Sequence, residues 1–325
     1  MTETTWLVTG GAGYIGAHVV RCLTESGRSV VVLDDLSSGH RGFVPDGVRF
    51  VEGSVVDPAA VDSALAGVAG VIHCAGFKYA GVSVERPLHT YTQNVTAVQV
   101  LLERMLAASV ESLVFSSSAA TFGTPDVDLV TETTPTRPES PYGESKLIGE
   151  WLIRDVARIS PLRHTSLRYF NVVGSGYPDL YDTSPHNLFP VLLKALSEGR
   201  TPTVNGTDYP TPDGSCVRDY VHVQDLALAH VAAADALEHS RPLEPVYNLG
   251  SGEGVSVLQI MDAARRATGI DFTPQVKPRR PGDPARIVAT GELAGRDLGW
   301  TMRNTVDDMM TSAWRAWQQA ATASA

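Results

Sequence analysis

The apolar positions of the first half of the chain fall into short unbroken runs separated by stretches of helical spacing. Trp6-Leu7-Val8-Thr9 is such a run, followed by Gly10-Gly11-Ala12-Gly13-Tyr14-Ile15-Gly16 and then a helical stretch from Ala17 to Leu23. Ser29-Val30-Val31-Val32-Leu33 is a second run, closed by Asp34-Asp35. Strand, glycine turn, helix, strand and acid make a βαβ unit. The alternation goes on, with strands predicted at Val48–Glu52, Gly70–Cys74, Ser112–Ser116 and Thr165–Phe170. Helices are predicted at Pro58–Leu65, Asn94–Ala108 and Tyr142–Arg158, with loops up to Pro87 and from Thr124 to Pro141. Runs that are apolar throughout, rather than alternating, predict a parallel sheet covered on both faces.

After Asn171 the texture changes. From Gly174 to Ser215 prolines, glycines and polar residues dominate, interrupted by one predicted helix at Leu188–Leu196. Further elements are predicted at Val217–Val223, Asp225–Leu237, Val246–Leu249, Ser256–Thr268 and Val306–Gln319, and the end, Ala320–Ala325, reads as frayed. The pattern predicts an α/β protein: a doubly wound, Rossmann-type parallel sheet over residues 1–171 and a smaller α/β substrate-binding domain over 172–325, some of whose segments return to the first.

Composition narrows the function. With 43% hydrophobic and 19% charged residues the chain reads as an ordinary globular protein, and 325 residues exceed what one core usually supports. A net charge of −10 argues against nucleic-acid and anionic-membrane partners. Cys22, Cys74 and Cys216 are scattered and odd in number, so neither a disulfide framework nor a zinc site is expected, and no metal is assigned. The polar start, Met1–Trp6, lacks the basic stretch of a signal peptide, and a cytoplasmic location is expected.

The candidate chemistry lies in four places. Gly11-x-Gly13-x-x-Gly16, also read as Gly10-x-x-Gly13-x-x-Gly16, sits between a strand and a helix, where backbone can approach a pyrophosphate. Asp34, 18 residues beyond Gly16, is placed to accept ribose hydroxyls, and with no Arg or Lys beside it favours NAD over NADP. Ser118 ends a predicted strand, at the sheet edge where such folds bind ligands. Tyr142 and Lys146 lie one helical turn apart, so an ammonium is expected to draw the phenol's high pKa towards neutrality and make it a general base.

These motifs, with Leu167-Arg168-Tyr169-Phe170-Asn171, Asp208–Gly214, Val217–Val223 and Tyr247–Gly250, make the chain similar to the extended short-chain dehydrogenases/reductases. Within that family it resembles the nucleotide-sugar 4-epimerases over Leu7 to about Gln318. The resemblance implies that Gly10, Gly13, Tyr14, Ile15, Gly16, Asp34, Ser54, Val55, Cys74, Ala75, Gly76, Lys78, Asn94 and Tyr169 hold NAD together with Tyr142 and Lys146. It implies substrate contacts from Lys78, Ser118, Tyr142, Asn171, Asn187, Asn205, Arg218, Arg280 and Asp283, the arginines pairing with a diphosphate. Arg279 and Arg286 read instead as surface salt bridges. Three positions depart from the family pattern: Ser54 replaces an aspartate beside the adenine, Asn205 an apolar or aromatic residue beside the uracil, and Ile287 occupies the position that gates the sugar's 2-substituent.

The implied reaction is reversible inversion at C4 of UDP-glucose and UDP-galactose through a 4-keto sugar. Tyr142, Ser118 and Lys146 would be the catalytic residues, and the chain would be a homodimer pairing its two long helices. The alternatives are a 4-epimerase of UDP-GlcNAc or UDP-glucuronate, a 4,6-dehydratase, or a non-catalytic NAD-binding regulator. Ala119-Ala120-Thr121 offers no acid for dehydration, and a regulator has no need of an intact Ser118, Tyr142 and Lys146.

Overall fold

The structure, a computed structural model, describes residues 4–280 and 283–323; Met1–Glu3 and the last part of the expected frayed tail lie outside the described residues. Six strands, β1 (Thr5–Thr9), β2 (Ser29–Asp34), β3 (Arg49–Glu52), β4 (Gly70–His73), β5 (Ser112–Ser116) and β6 (Arg163–Tyr169), join the Val246–Leu249 strand in one sheet. Its order is Val246–Leu249, β6, β5, β4, β1, β2, β3, and every neighbouring pair is parallel. The order reverses between β1 and β4, which makes the carboxyl edge there the expected ligand crevice. The register Thr9↔Leu33 and Thr9↔His73 brings the strand ends carrying Gly10, Asp34 and Cys74 to that edge together.

The apolar runs are explained by two covered faces. Trp6, Val8, Val30 and Val32 pack beneath helix α1 (Tyr14–Glu25) and the Val223–Glu238 helix. Leu7, Val31, Leu33 and Val71 point the other way, against helix α2 (Pro58–Leu65) and the helices Ala97–Ala107 and Pro141–Ala157. A smaller core of Phe189, Leu192, Tyr220, Ile260, Met261 and Met309 unites the later helices Leu188–Ser197, Val257–Thr268 and Val306–Ala323.

Several elements differ from the sequence expectation. The segment Val217–Val223 is not one strand but two, Val217–Arg218 and Tyr220–His222, in separate sheets. Between them Asp219, fully buried, accepts backbone N–H bonds from Ser251 and Ala289, which turns the chain. The supposed loop before Pro87 holds a short helix, Ala80–Glu85. The following helix starts at Pro87 rather than Asn94 and passes through a π-turn at Thr92–Thr96. That turn is fixed by Asn94, whose amide accepts from Phe77 N at 2.7 Å and donates to Phe77 O and to Ser145 Oγ. Short strands at Asn171–Val173, Thr203–Asn205 and Gln275–Lys277, and a helix at Glu292–Leu298, carried too little periodicity to be read.

Candidate active site

A cleft of about 830 Å³ opens along the carboxyl edge of the sheet, between the two cores. It is lined by all the residues expected to touch NAD or substrate except Asn94 and Ser118. Asn94 acts from behind the wall through the Phe77 backbone, and Ser118, nearly buried, stands beneath Tyr142.

The cofactor end is shaped by backbone. Gly10 has φ +70°, and a Cβ at Gly16 would lie 2.1 Å from the Gly10 carbonyl oxygen, so both positions require glycine. Helix α1 has no side-chain cap and no acid in its first turn, which leaves its amino-terminal N–H groups and dipole free for an anion. Tyr14 Oη donates to Gly174 O at 2.6 Å and ties this turn to the second half of the chain. The Asp34 carboxylate is preset by N–H bonds from Ala12 and Leu36, both 2.9 Å, and retains lone pairs for hydroxyls. Burial raises its pKa, an effect those two bonds oppose. Ser37 and Ser38 line the wall beside it without adding a cation. A bare helix terminus, a close-approach glycine turn and a hydroxyl-seeking acid suit a dinucleotide with a free 2′-hydroxyl.

At the centre, Ser140 caps the Pro141–Ala157 helix through Gly143 N at 3.2 Å, with Pro141 at its first position. Tyr142 and Lys146 project from its first two turns to the end of β5. Lys146 Nζ donates to Ser116 O at 2.9 Å and lies 6.0 Å from the centroid of the Tyr142 ring. Burial drives this ammonium down to about 8, partly offset by Cys74 and Glu150. The phenol does not behave as its spacing predicts. Burial raises its pKa, and the group that pulls it down is the hydrogen-bonded Ser118 hydroxyl rather than Lys146. The reason is the order of titration: burial lowers Lys146 to about 8, so its charge is already lost where a phenol above its ordinary value ionises. Ser118 Oγ also accepts from Ala120 N at 3.1 Å, which fixes its rotamer.

The other end is cationic and pre-paired. Arg218 is ion-paired with Asp283, and Asn187 donates to Asp182 at 2.7 Å. Asn171 donates to Asp219 O at 2.9 Å. With its amide oxygen turned towards Arg280, Asn205 accepts from that guanidinium at 3.0 and 3.1 Å. The departure at Asn205 therefore serves to aim an arginine. Ile287 pairs in register with Arg218 and packs against the Phe122, Val130 and Ala289 cluster rather than lining the cleft. Outside the cleft, Arg279 pairs with Asp208 at 2.7 Å, whereas Arg286 donates to the Glu253 carbonyl instead of an acid. Sequence reasoning gave no place to Phe77, Tyr79, Arg86 or His186, which also line the cleft. Tyr79 and His186 meet edge to face at 5.0 Å. The available hint was that Phe77-Lys78-Tyr79 follows a strand end at the ligand edge.

The NAD dependent epimerase/dehydratase family matches residues 6–250. A UDP-glucose 4-epimerase of Corynebacterium glutamicum is 42% identical over 314 residues, covering 96% of this chain and 94% of that protein. The crystal structure of UDP-glucose-4-epimerase from Stenotrophomonas maltophila with bound NAD and formylated UDP-arabinopyranose superposes with TM-score 0.94 at 37% identity, covering 99% of this chain and 100% of that one. That of the Bifidobacterium longum enzyme in complex with NAD⁺ and UDP gives 0.88 at 38% identity, covering 97% and 98%. With three quarters of its length matched by the family and near-complete overlap with these relatives, the chain belongs to the NAD dependent epimerase/dehydratase family.

Proposed function

We propose that this chain is an NAD-dependent isomerase that interconverts UDP-glucose and UDP-galactose by inversion at C4. The observation that carries the reading is the half-buried Tyr142 at the ligand edge, its phenol facing Ser118 and standing one helical turn from Lys146. Gly10, Gly13, Gly16 and Asp34 hold the dinucleotide, and Cys74, Gly76, Lys78, Lys146 and Tyr169 border its reactive end. NAD supplies the hydride acceptor and donor and, when oxidised, a positive charge that adds to that of Lys146. Ser118 orders the sugar's 4-hydroxyl, and Tyr142 removes its proton and later returns one on the opposite face. Arg218 and Arg280 grip the diphosphate, with Asp283 at the nucleoside ribose, while the cleft leaves space for the 4-keto sugar to turn about that anchor. Asn171 and Asn187 meet the sugar nucleotide between these ends.

Dehydration is disfavoured by the turn after Ser118, where Ala119 and Ala120 supply no acid. Exposed Leu88, Trp151 and Ile159 on or beside the long helices support a homodimer through that surface. No helix of the described residues is long and apolar enough to cross a membrane, which accords with a cytoplasmic enzyme. The reading is tested by incubating the purified protein with UDP-glucose, UDP-GlcNAc and UDP-glucuronate and separating epimers by chromatography. UDP-galactose from UDP-glucose is the expected product; epimers only of the other two sugars would reassign the substrate.

A further inference from the structure

Ser116 ends β5 and Ser117 and Ser118 follow it, and each hydroxyl is held by a different part of the molecule. Ser116 Oγ meets His230 Nε2 at 2.8 Å and Cys74 Sγ at 3.2 Å, and Ser118 faces Tyr142. Ser117 Oγ donates to Glu150 Oε1 at 2.5 Å. Glu150 is one turn beyond Lys146 and two beyond Tyr142, on the same helix face. Both its oxygens are gripped by Arg168 of β6, through Nε at 2.9 Å and a terminal nitrogen at 2.5 Å. The pair is 7% and 5% exposed, and neither residue lines the cleft. The Arg168 guanidinium also lies 4.8 Å from the ring centroid of Phe122, at the end of the turn that Ser118 caps.

A buried ion pair is weak as a stabilising device, because desolvation cancels most of its attraction. Its geometric effect is strong: three donors converge on one carboxylate, from the serine triplet and from β6, locking the catalytic helix against the strand end. We propose that Glu150, held by Arg168, is a positioning residue for proton transfer, gripping Ser117 so that Ser118 stays in register with Tyr142 and Lys146. The inference rests on the proposed roles of those three residues. Glu150 also acts on Lys146 electrostatically. The titratable groups facing that ammonium are Cys74 and His73 from the end of β4 and Tyr142 and Glu150 from its own helix, and Glu150 supports its charge against burial.

Ser117→Ala removes the grip and leaves the ion pair intact. Its expected effect is a fall in kcat on the order of tenfold, with KM, NAD affinity and melting temperature near wild type. Glu150→Gln is expected to lower kcat further and move the alkaline limb of the kcat profile to lower pH, and Glu150→Asp to restore part of both. Wild-type kcat and pH profile in Ser117→Ala would overturn the proposal. So would Glu150→Gln losing kcat, NAD binding and melting temperature together with an unmoved limb. If Glu150→Gln does not fold, Ser117→Ala decides alone. If wild-type protein turns over no UDP-sugar, the functional reading fails separately. The inference is then read from the near-ultraviolet titration of the phenol, wild type minus Tyr142→Phe, in the NAD-bound protein. A midpoint displaced by Ser117→Ala supports it, and an unmoved one overturns it.

Discussion

The two ends of the cleft are built on opposite principles. At the cofactor end the work is done by main chain: a glycine turn with φ +70° at Gly10, an uncapped helix terminus, and one acid already held by two amides. At the nucleotide-sugar end it is done by long side chains already engaged with neighbours, Arg218 with Asp283, Asn187 with Asp182 and Arg280 with Asn205. A ligand enters the first by filling a preformed cradle. On the proposed reading a nucleotide-sugar would enter the second by exchanging partners, each exchange replacing one hydrogen bond by another. The cofactor end should therefore tolerate almost no change, and the substrate end should lose affinity in graded steps.

The sharpest break is at the boundary between the ends. Tyr142→Phe is expected to lower kcat by about 10³-fold or more while NAD remains bound, measured by coupled assay and by cofactor release on denaturation. Substantial residual epimerisation would remove Tyr142 as the base. Next comes the cradle itself. Gly16→Ala places a Cβ against the Gly10 carbonyl oxygen and should abolish NAD retention, so purified variant protein should release little or no NAD on denaturation.

At the substrate end Arg218→Ala should raise KM for the UDP-sugar about 10- to 100-fold, matching the loss of charge-assisted bonds worth about 1.5–3 kcal/mol, with kcat little altered. Asp283→Ala frees the same arginine and removes a proposed ribose contact, so its KM should rise less. Equal effects of the two would contradict partner exchange as the mode of entry.

A further expectation concerns pH and reads stability rather than turnover. The lysine at 146 is lowered from an ordinary 10.5 to about 8 by burial, so between those values the unfolded chain binds more protons than the folded one. Stability of the cofactor-free protein should therefore rise with pH through that window, by up to about 3 kcal/mol, and Lys146→Met should flatten the rise in a series of denaturant titrations. His73 and His230, pushed down to about 3 and about 4 by burial, work in acid with the same sign. Their contribution is intact above the ordinary 6.5 and is lost as pH falls towards 4.

The comparison also explains what could be read in advance. Elements with a strong period and their own caps, such as α2 and the Pro141–Ala157 helix, were legible to within a residue or so. The double break at Asp219 was not, because it depends on the amides of Ser251 and Ala289, 32 and 70 residues away. The π-turn at Asn94 likewise depends on Phe77, across a loop.

The features proposed for the cofactor half of this protein were legible as local patterns. A glycine turn, an acid at a fixed spacing and a Tyr-x-x-x-Lys turn of helix are local patterns, and local sterics and helix geometry enforce them wherever they occur. Tertiary structure alone decided the rest. It set the direction in which burial moves Tyr142, the partner that Arg218 holds 65 residues away, and the Glu150–Arg168 grip on Ser117. These depend on which distant groups share one buried volume, and desolvation and charge pairing act only once the chain has closed around them.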